Sequence, residues 1–142
     1  MRITELSTLS ALQEKEIVAL MGELDPEIEV SSAFLRRTLE SESSHFFAVM
    51  EGERIVGCAT LCVFDSPTGR KASVEDVVVS SRYRGQGLGK MLMEHVIEYA
   101  RRELGEVDIH LTSRPHRVAA NALYQKMGFV RKETNAYVMK IR

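Results

Sequence analysis

Val74-Glu75-Asp76-Val77-Val78-Val79-Ser80-Ser81-Arg82-Tyr83-Arg84-Gly85-Gln86-Gly87-Leu88-Gly89-Lys90 runs from an apolar, β-branched segment through a glycine-rich turn into the start of an amphipathic stretch. Strand, glycine turn and helix start in that order make a phosphate cradle. Glycine admits positive φ and lets the main chain approach a ligand, and the first helical turn presents N–H groups with no internal partner. The sequence therefore directs attention to a phosphorylated cofactor.

Spacing narrows which one. The dinucleotide pattern GxGxxG requires glycine at position 90, where Lys90 stands. The P-loop requires a glycine five residues ahead of the Gly-Lys pair and a hydroxyl residue after it, and Arg84 and Met91 occupy those places. Both nucleotide loops are excluded, and the pattern left is Arg84-x-x-Gly87-x-Gly89.

That pattern resembles the motif of the GNAT superfamily of acyl-CoA-dependent N-acetyltransferases. The resemblance also covers Val74 to Val79 before the loop and Asn121-Ala122-Leu123-Tyr124-Gln125-Lys126-Met127-Gly128-Phe129 after it, in the superfamily's order and separation. It implies that Arg84, Gly85, Gln86, Gly87, Leu88, Gly89 and Lys90 bind the pyrophosphate of coenzyme A. It further implies a central, mostly antiparallel mixed sheet of α/β type, splayed between its fourth and fifth strands and flanked by four helices. Main-chain groups of Val77, Val78 and Val79 at the splay would pair with the pantetheine arm, much as a peptide adds to a sheet edge.

Composition bounds the remainder. A chain of 142 residues fits one domain with a real core, 1–142, and no linker, repeat or low-complexity tract interrupts it. Charged residues make up 27% with a net charge of −1 and both signs scattered, which gives no nucleic-acid surface. Arg82, Arg84 and Lys90 do gather at the loop, as suits a polyanion, although a solvated basic turn would look the same. The start of the chain lacks a basic segment followed by an apolar core, and no apolar run reaches spanning length, so the expectation is a cytoplasmic protein without a membrane partner. Cys58 and Cys62 lie four residues apart in one predicted strand, too far to bridge, and the four histidines show no zinc spacing, so reduced thiols and no metal are expected.

Periodicity and turn signals give the elements. Arg2 to Leu6 reads as a strand. Ser10 with Gln13 signals a capping box for a helix with Ile17, Leu20, Met21 and Leu24 on one face, ended by Asp25-Pro26. A second helix is predicted over 32–40, with Phe34, Leu35, Thr38 and Leu39 available for packing. His45 to Glu51 and Arg54 to Phe64 form a hairpin through Gly52, Asp65 to Arg70 is a loop, and Ala72 to Val79 is a buried strand. Leu88 to Leu104 is a helix packed through Leu88, Met91, Leu92, Val96 and Tyr99, with His95 as a packed histidine. A strand over 107–112, a helix over 118–127 and closing strands at Phe129 to Lys132 and Tyr137 to Ile141 complete the series.

The chemistry of amine acetylation asks for two groups. A lysine-like ammonium is neutral in roughly one molecule in 2,500 at pH 7, so a base must take its proton. Strand alternation puts Glu75 and Asp76 on opposite faces, so only one is expected in the cleft. The resemblance favours Glu75 as the general base. The departing thiolate needs a proton, and the resemblance makes Tyr124 the general acid, with Asn121 one turn earlier bonding the pantetheine or an adjacent carbonyl. A main-chain N–H near Val77 would hold the oxyanion. Arg114, His116 and Arg117 precede that helix and read as solvated basic residues, with contact to the cofactor's 3′-phosphate or to an acidic acceptor as the alternative.

Acetyl-CoA as cosubstrate and a primary amine as acceptor follow from the resemblance, while the acceptor's identity stays open. The stretch 74–90 is similar to glucosamine-6-phosphate N-acetyltransferases, whereas 112–129 departs from them toward the broader bacterial enzymes acting on small-molecule or protein amines. The segment 25–44, flanking the acceptor site in the superfamily, carries no composition that identifies a substrate. A noncatalytic acyl-CoA-binding sensor would share the loop but need neither Glu75 nor Tyr124. Homodimers are common in the superfamily, and the sequence specifies no interface.

Overall fold

The Ser10 capping box forms as its spacing predicts. Ser10 Oγ accepts from Gln13 N at 3.1 Å and the Gln13 side chain accepts from Ser10 N at 3.0 Å, starting helix α1 (Ala11–Leu24). Asp25 ends it in an extended conformation. Ile17, Leu20 and Met21 are buried, as the helical period requires. The computed structural model describes all 142 residues, and they divide into two compact units, Met1–Leu111 and Thr112–Arg142.

The first unit is built on strands β1 (Arg2–Glu5), β2 (Ser44–Glu51), β3 (Arg54–Ser66), β4 (Gly69–Val79) and β5 (Asp108–His110), with helices α1, α2 (Ser32–Glu40) and α3 (Leu88–Glu103). Strand order in the sheet follows chain order; neighbours are antiparallel except β4 and β5, which run parallel. Phe46 to Met50 are all buried, so β2 is covered on both faces. On one face Ile17, Leu20 and Met21 pack with Phe46, Ala48, Met50, Ile55, Cys58 and Val78, joined at the edge by Leu35 and Leu39 of α2. On the other, Phe47 meets the rings of His95 and Tyr99 edge-on at 5.5 and 5.2 Å, which places α3 there. The His95 ring is thus a packing element, as expected.

Several boundaries and faces differ from expectation. Asp65 to Arg70 is no loop: β3 and β4 extend through it until only Pro67 and Thr68 turn, because Asp65 pairs with Arg70 and Ser66 with Gly69 in register. Phe34 is exposed and lies against Arg37, whose guanidinium sits 4.9 Å from the ring centroid. In α3 the buried stripe runs through Leu88, Leu92, Met93, Val96 and Ala100, leaving Met91 exposed. Cys58 is buried and Cys62 half-buried, and both thiols are free.

The second unit holds helix α4 (Val118–Lys126), capped by Met127. Phe129 to Lys132 and Tyr137 to Ile141, expected as closing strands, form none. Val130, Tyr137, Val138, Met139 and Ile141 stand exposed, without a ladder partner. Alternation gives a segment the capacity to be a strand, but a strand exists only where another backbone accepts its hydrogen bonds. No helix of the chain is long and apolar enough to cross a membrane.

Candidate active site

The splay expected between the fourth and fifth strands is visible in the register. β5 pairs only with Lys71, Ala72 and Ser73, while β4 continues to Val79 without a paired strand on that side. Ser80 N donates to Val56 O at 2.8 Å, so the main-chain groups of Ser80 face β3. Those of Val79 alternate toward the open side. Arg84 Nε takes one of them, donating to Val79 O at 3.2 Å. The edge named from the sequence, Val77 to Val79, is thus bordered by the loop residue that the motif begins with.

The loop itself has the required geometry. Gly85 and Gly87 take φ of +81° and +76°, a region that costs an L side chain roughly 1–2 kcal/mol. A Cβ at either would meet no atom within 4 Å, so the need for glycine here is conformational. Gly87 is the N-cap of α3 and supplies no side-chain bond to the first turn, where Leu88, Gly89 and Lys90 stand. Those N–H groups are available to an anion on the positive end of a 16-residue helix. Lys90 Nζ lies 3.6 Å from Glu94 on the following turn. A diphosphate fits this arrangement, and the unpaired edge of β4 fits an extended amide arm.

Beside the edge, β4 carries a bulge. Cys58 pairs with Val78 and Thr60 with Glu75, so Ala59 alone faces both Asp76 and Val77. Asp76 adopts φ of +54°, the one non-glycine residue with positive φ in the chain. The bulge interrupts the alternation that was expected to separate the two carboxylates. The Glu75 charge acts on Asp76, and both charges act on the Cys62 thiol. Crowding of its carboxyl, then the Glu75 charge, raises the Asp76 pKa, although the residue as a whole is exposed. Glu75 Oε1 accepts from Ser73 Oγ at 2.6 Å, and Glu75 makes no ion pair with Arg82. Burial, and after it the Asp76 charge, pushes the Cys58 thiol up to about 12, and burial raises Cys62 although the Ser44 side chain acts the other way. Neither thiol is a ready nucleophile.

In the second unit, Asn121 Nδ2 donates to Arg114 O at 3.0 Å and to Arg117 O at 2.9 Å, bracing the loop that enters α4. Arg117 N closes that loop on Arg114 O at 3.0 Å. The amide nitrogen of Asn121 is therefore committed, leaving its oxygen to any ligand. The Tyr124 ring is half-buried against Phe129, 6.0 Å between centroids, and burial raises its pKa while Arg117 opposes the shift. Ser113 Oγ, one residue before Arg114, is buried without a hydrogen-bond partner.

Sequence reasoning missed Glu23 and Ser113, and it named Asp76 without the bulge that places it. The bulge places Asp76, and no residue pattern in 74–79 announces a register shift. Glu23 lies on the exposed side of α1, where a carboxylate attracts no notice, yet its Oε1 accepts from Ser81 N at 2.9 Å.

With this geometry in view, comparison with known proteins gives the class: the chain belongs to the acetyltransferase (GNAT) family, whose model matches residues 9–129. Among curated relatives, it is 32% identical over 116 residues to N-acetyltransferase family 8 member 2 of Rattus norvegicus, covering 80% of this chain and 50% of that protein. It is 29% identical over 133 residues to the N-alpha-acetyltransferase RimI of Mycobacterium tuberculosis, covering 90% and 81%. The chain spans about half the length, or less, of the rat relatives it matches. In fold it is similar to an aminoglycoside acetyltransferase from a soil metagenome, with a TM-score of 0.85, 16% identity and coverage of 99% of this chain and 96% of that one.

Proposed function

We propose that residues 1–142 form one domain that transfers an acetyl group from acetyl-CoA to a primary amine of a small molecule or protein, both substrates being bound together. The observation that carries this reading is the junction of the open β4 edge with an uncapped α3 behind two left-handed glycines. In it the N–H groups of Gly85 to Lys90 grip the diphosphate, Arg84 holds the Val79 carbonyl at the mouth of the loop, and the Val77 to Val79 backbone aligns the acyl arm. Bound there, acetyl-CoA supplies an activated thioester. Glu75 takes the proton from the acceptor ammonium, the N–H near Val77 stabilises charge on the carbonyl oxygen, and Tyr124 O–H returns a proton to the departing sulfur. Tyrosine holds that proton at neutral pH, and burial raises the Tyr124 pKa further.

The test is thiol release from acetyl-CoA across polyamines, aminoglycosides, glucosamine 6-phosphate, amino acids and peptides with free N-termini. A relative named for N-alpha-acetylation, aligned over 90% of the chain, makes the peptides the arm to run first. Release with any amine supports the enzyme. Release with glucosamine 6-phosphate alone selects the sugar-phosphate reading. Stabilisation by coenzyme A with no release from any acceptor would favour the noncatalytic sensor.

A further inference from the structure

The short 3-10 turn Ser81–Tyr83 carries the chain from β4 into the glycine loop, and it is fastened from several directions. Ser80 N binds Val56 O in β3, Tyr83 N binds Ser80 O at 2.9 Å, and the Tyr83 hydroxyl feels the Glu51 carboxylate at the end of β2. Each of these ties belongs to the sheet or to the turn itself. One tie comes from a helix: Glu23, in the last turn of α1, accepts from Ser81 N at 2.9 Å, and the Ser81 hydroxyl also acts on its carboxylate. The same carboxylate feels the charges of Arg84 and Arg82, on either side of Tyr83. Those bonds first, and the two arginines after them, hold its pKa below the usual carboxylate range.

An exposed helix-end glutamate has no packing reason to bridge 58 residues of sequence, and a negative charge beside an anion loop would by itself oppose the ligand. Its geometry is that of a brace. We propose that Glu23 is a positioning residue for the glycine loop, holding Ser81 by hydrogen bonds so that Gly85 to Lys90 stand ready for a diphosphate, an assignment that rests on the acyl-CoA reading above. α1 also leads, one residue past its end, into the segment 25–44 expected beside the acceptor, so the brace joins the two substrate-handling stretches of the first unit.

Glu23→Ala removes the acceptor, whereas Glu23→Gln keeps an oxygen acceptor and removes only the charge. Ser81→Pro deletes the donor from the opposite end. Ser80 has φ −53° and ψ 138°, the conformation that precedes proline readily, and the first position of a helical turn tolerates it. Calorimetry with coenzyme A should show Glu23→Ala and Ser81→Pro weakened about five- to ten-fold and Glu23→Gln within about two-fold of the parent, the size expected for charge-assisted hydrogen bonds. KM for acetyl-CoA should rise in the same two variants with kcat unchanged, since the grip is shared by ground and transition states. In the ligand-free protein, amide hydrogen exchange over residues 82–90 should quicken in Glu23→Ala and not in Glu23→Gln. Unchanged exchange in Glu23→Ala, or equal losses in the Ala and Gln variants, overturns the brace. A parent that does not bind coenzyme A overturns the acyl-CoA reading instead, and the exchange measurement still decides Glu23.

Discussion

Ser73 Oγ donates to Glu75 Oε1 across 2.6 Å, two residues apart on β4 and next to the bulge. One carboxylate oxygen is thereby fixed against the strand while the other is left to meet an acceptor. The side chain of Asp76, its neighbour, has no hydrogen-bond or ion-pair partner, and the residue sits in a left-handed conformation. The two carboxylates thus differ in their hydrogen bonding.

Replacing Glu75 with Gln should lower kcat about 10²- to 10⁴-fold, the usual size of general-base effects, with little change in KM for acetyl-CoA. Ser73→Ala, which loosens the carboxylate without removing it, should cost under about ten-fold. Steady-state kinetics on both variants would check the ordering, and a Glu75→Gln enzyme as active as the parent would move the base elsewhere.

Asp76 offers a stability test with a defined sign. Its pKa is raised in the folded protein, so the folded state holds its proton at pH values where the unfolded chain has released it. The associated stability is fully present below the unfolded pKa, near about 3.9, and is lost as pH rises through the folded value. Asp76→Asn, which tolerates the left-handed region, should therefore melt higher than the parent at pH 7 and match it near pH 3. Melting curves across that range that stay parallel would contradict this account of the shift.

Gly87→Ala should destabilise the protein by about 1–2 kcal/mol through its φ alone, because the added methyl meets nothing. Coenzyme A binding should fall with it, since relieving the strain moves the N–H groups that cap α3. Thermal melting and calorimetry separate the two effects: a loss of stability with undiminished affinity would show that the loop is a structural turn only.

Tyr124→Phe should slow turnover roughly ten- to a thousand-fold while coenzyme A still binds. Burial raises the Tyr124 pKa, so the parent should show no alkaline fall in kcat from this group through pH 9. A profile of rate against pH in both proteins tests it, and full activity in the Phe variant removes Tyr124 from the mechanism.

Much of the loop was legible from residue order, because glycine spacing and helix starts are local physics. Gly85, Gly87 and the first turn of α3 need only their own backbone angles and free N–H groups to be what they are. The α1 capping box is equally local. The closing strands were not legible, since Tyr137, Val138, Met139 and Ile141 carry a strand's residue types and still find no ladder.

The chain's own order of residues determined the glycine cradle and the helix limits, which depend on neighbours within a few positions. Tertiary structure alone decided that Ala59 would face two residues of β4, that Asp76 would turn left-handed beside Glu75, and that Glu23 would reach Ser81. Register between strands and contacts between distant segments are settled by packing and hydrogen-bond supply across the whole sheet, and no short window of sequence contains them.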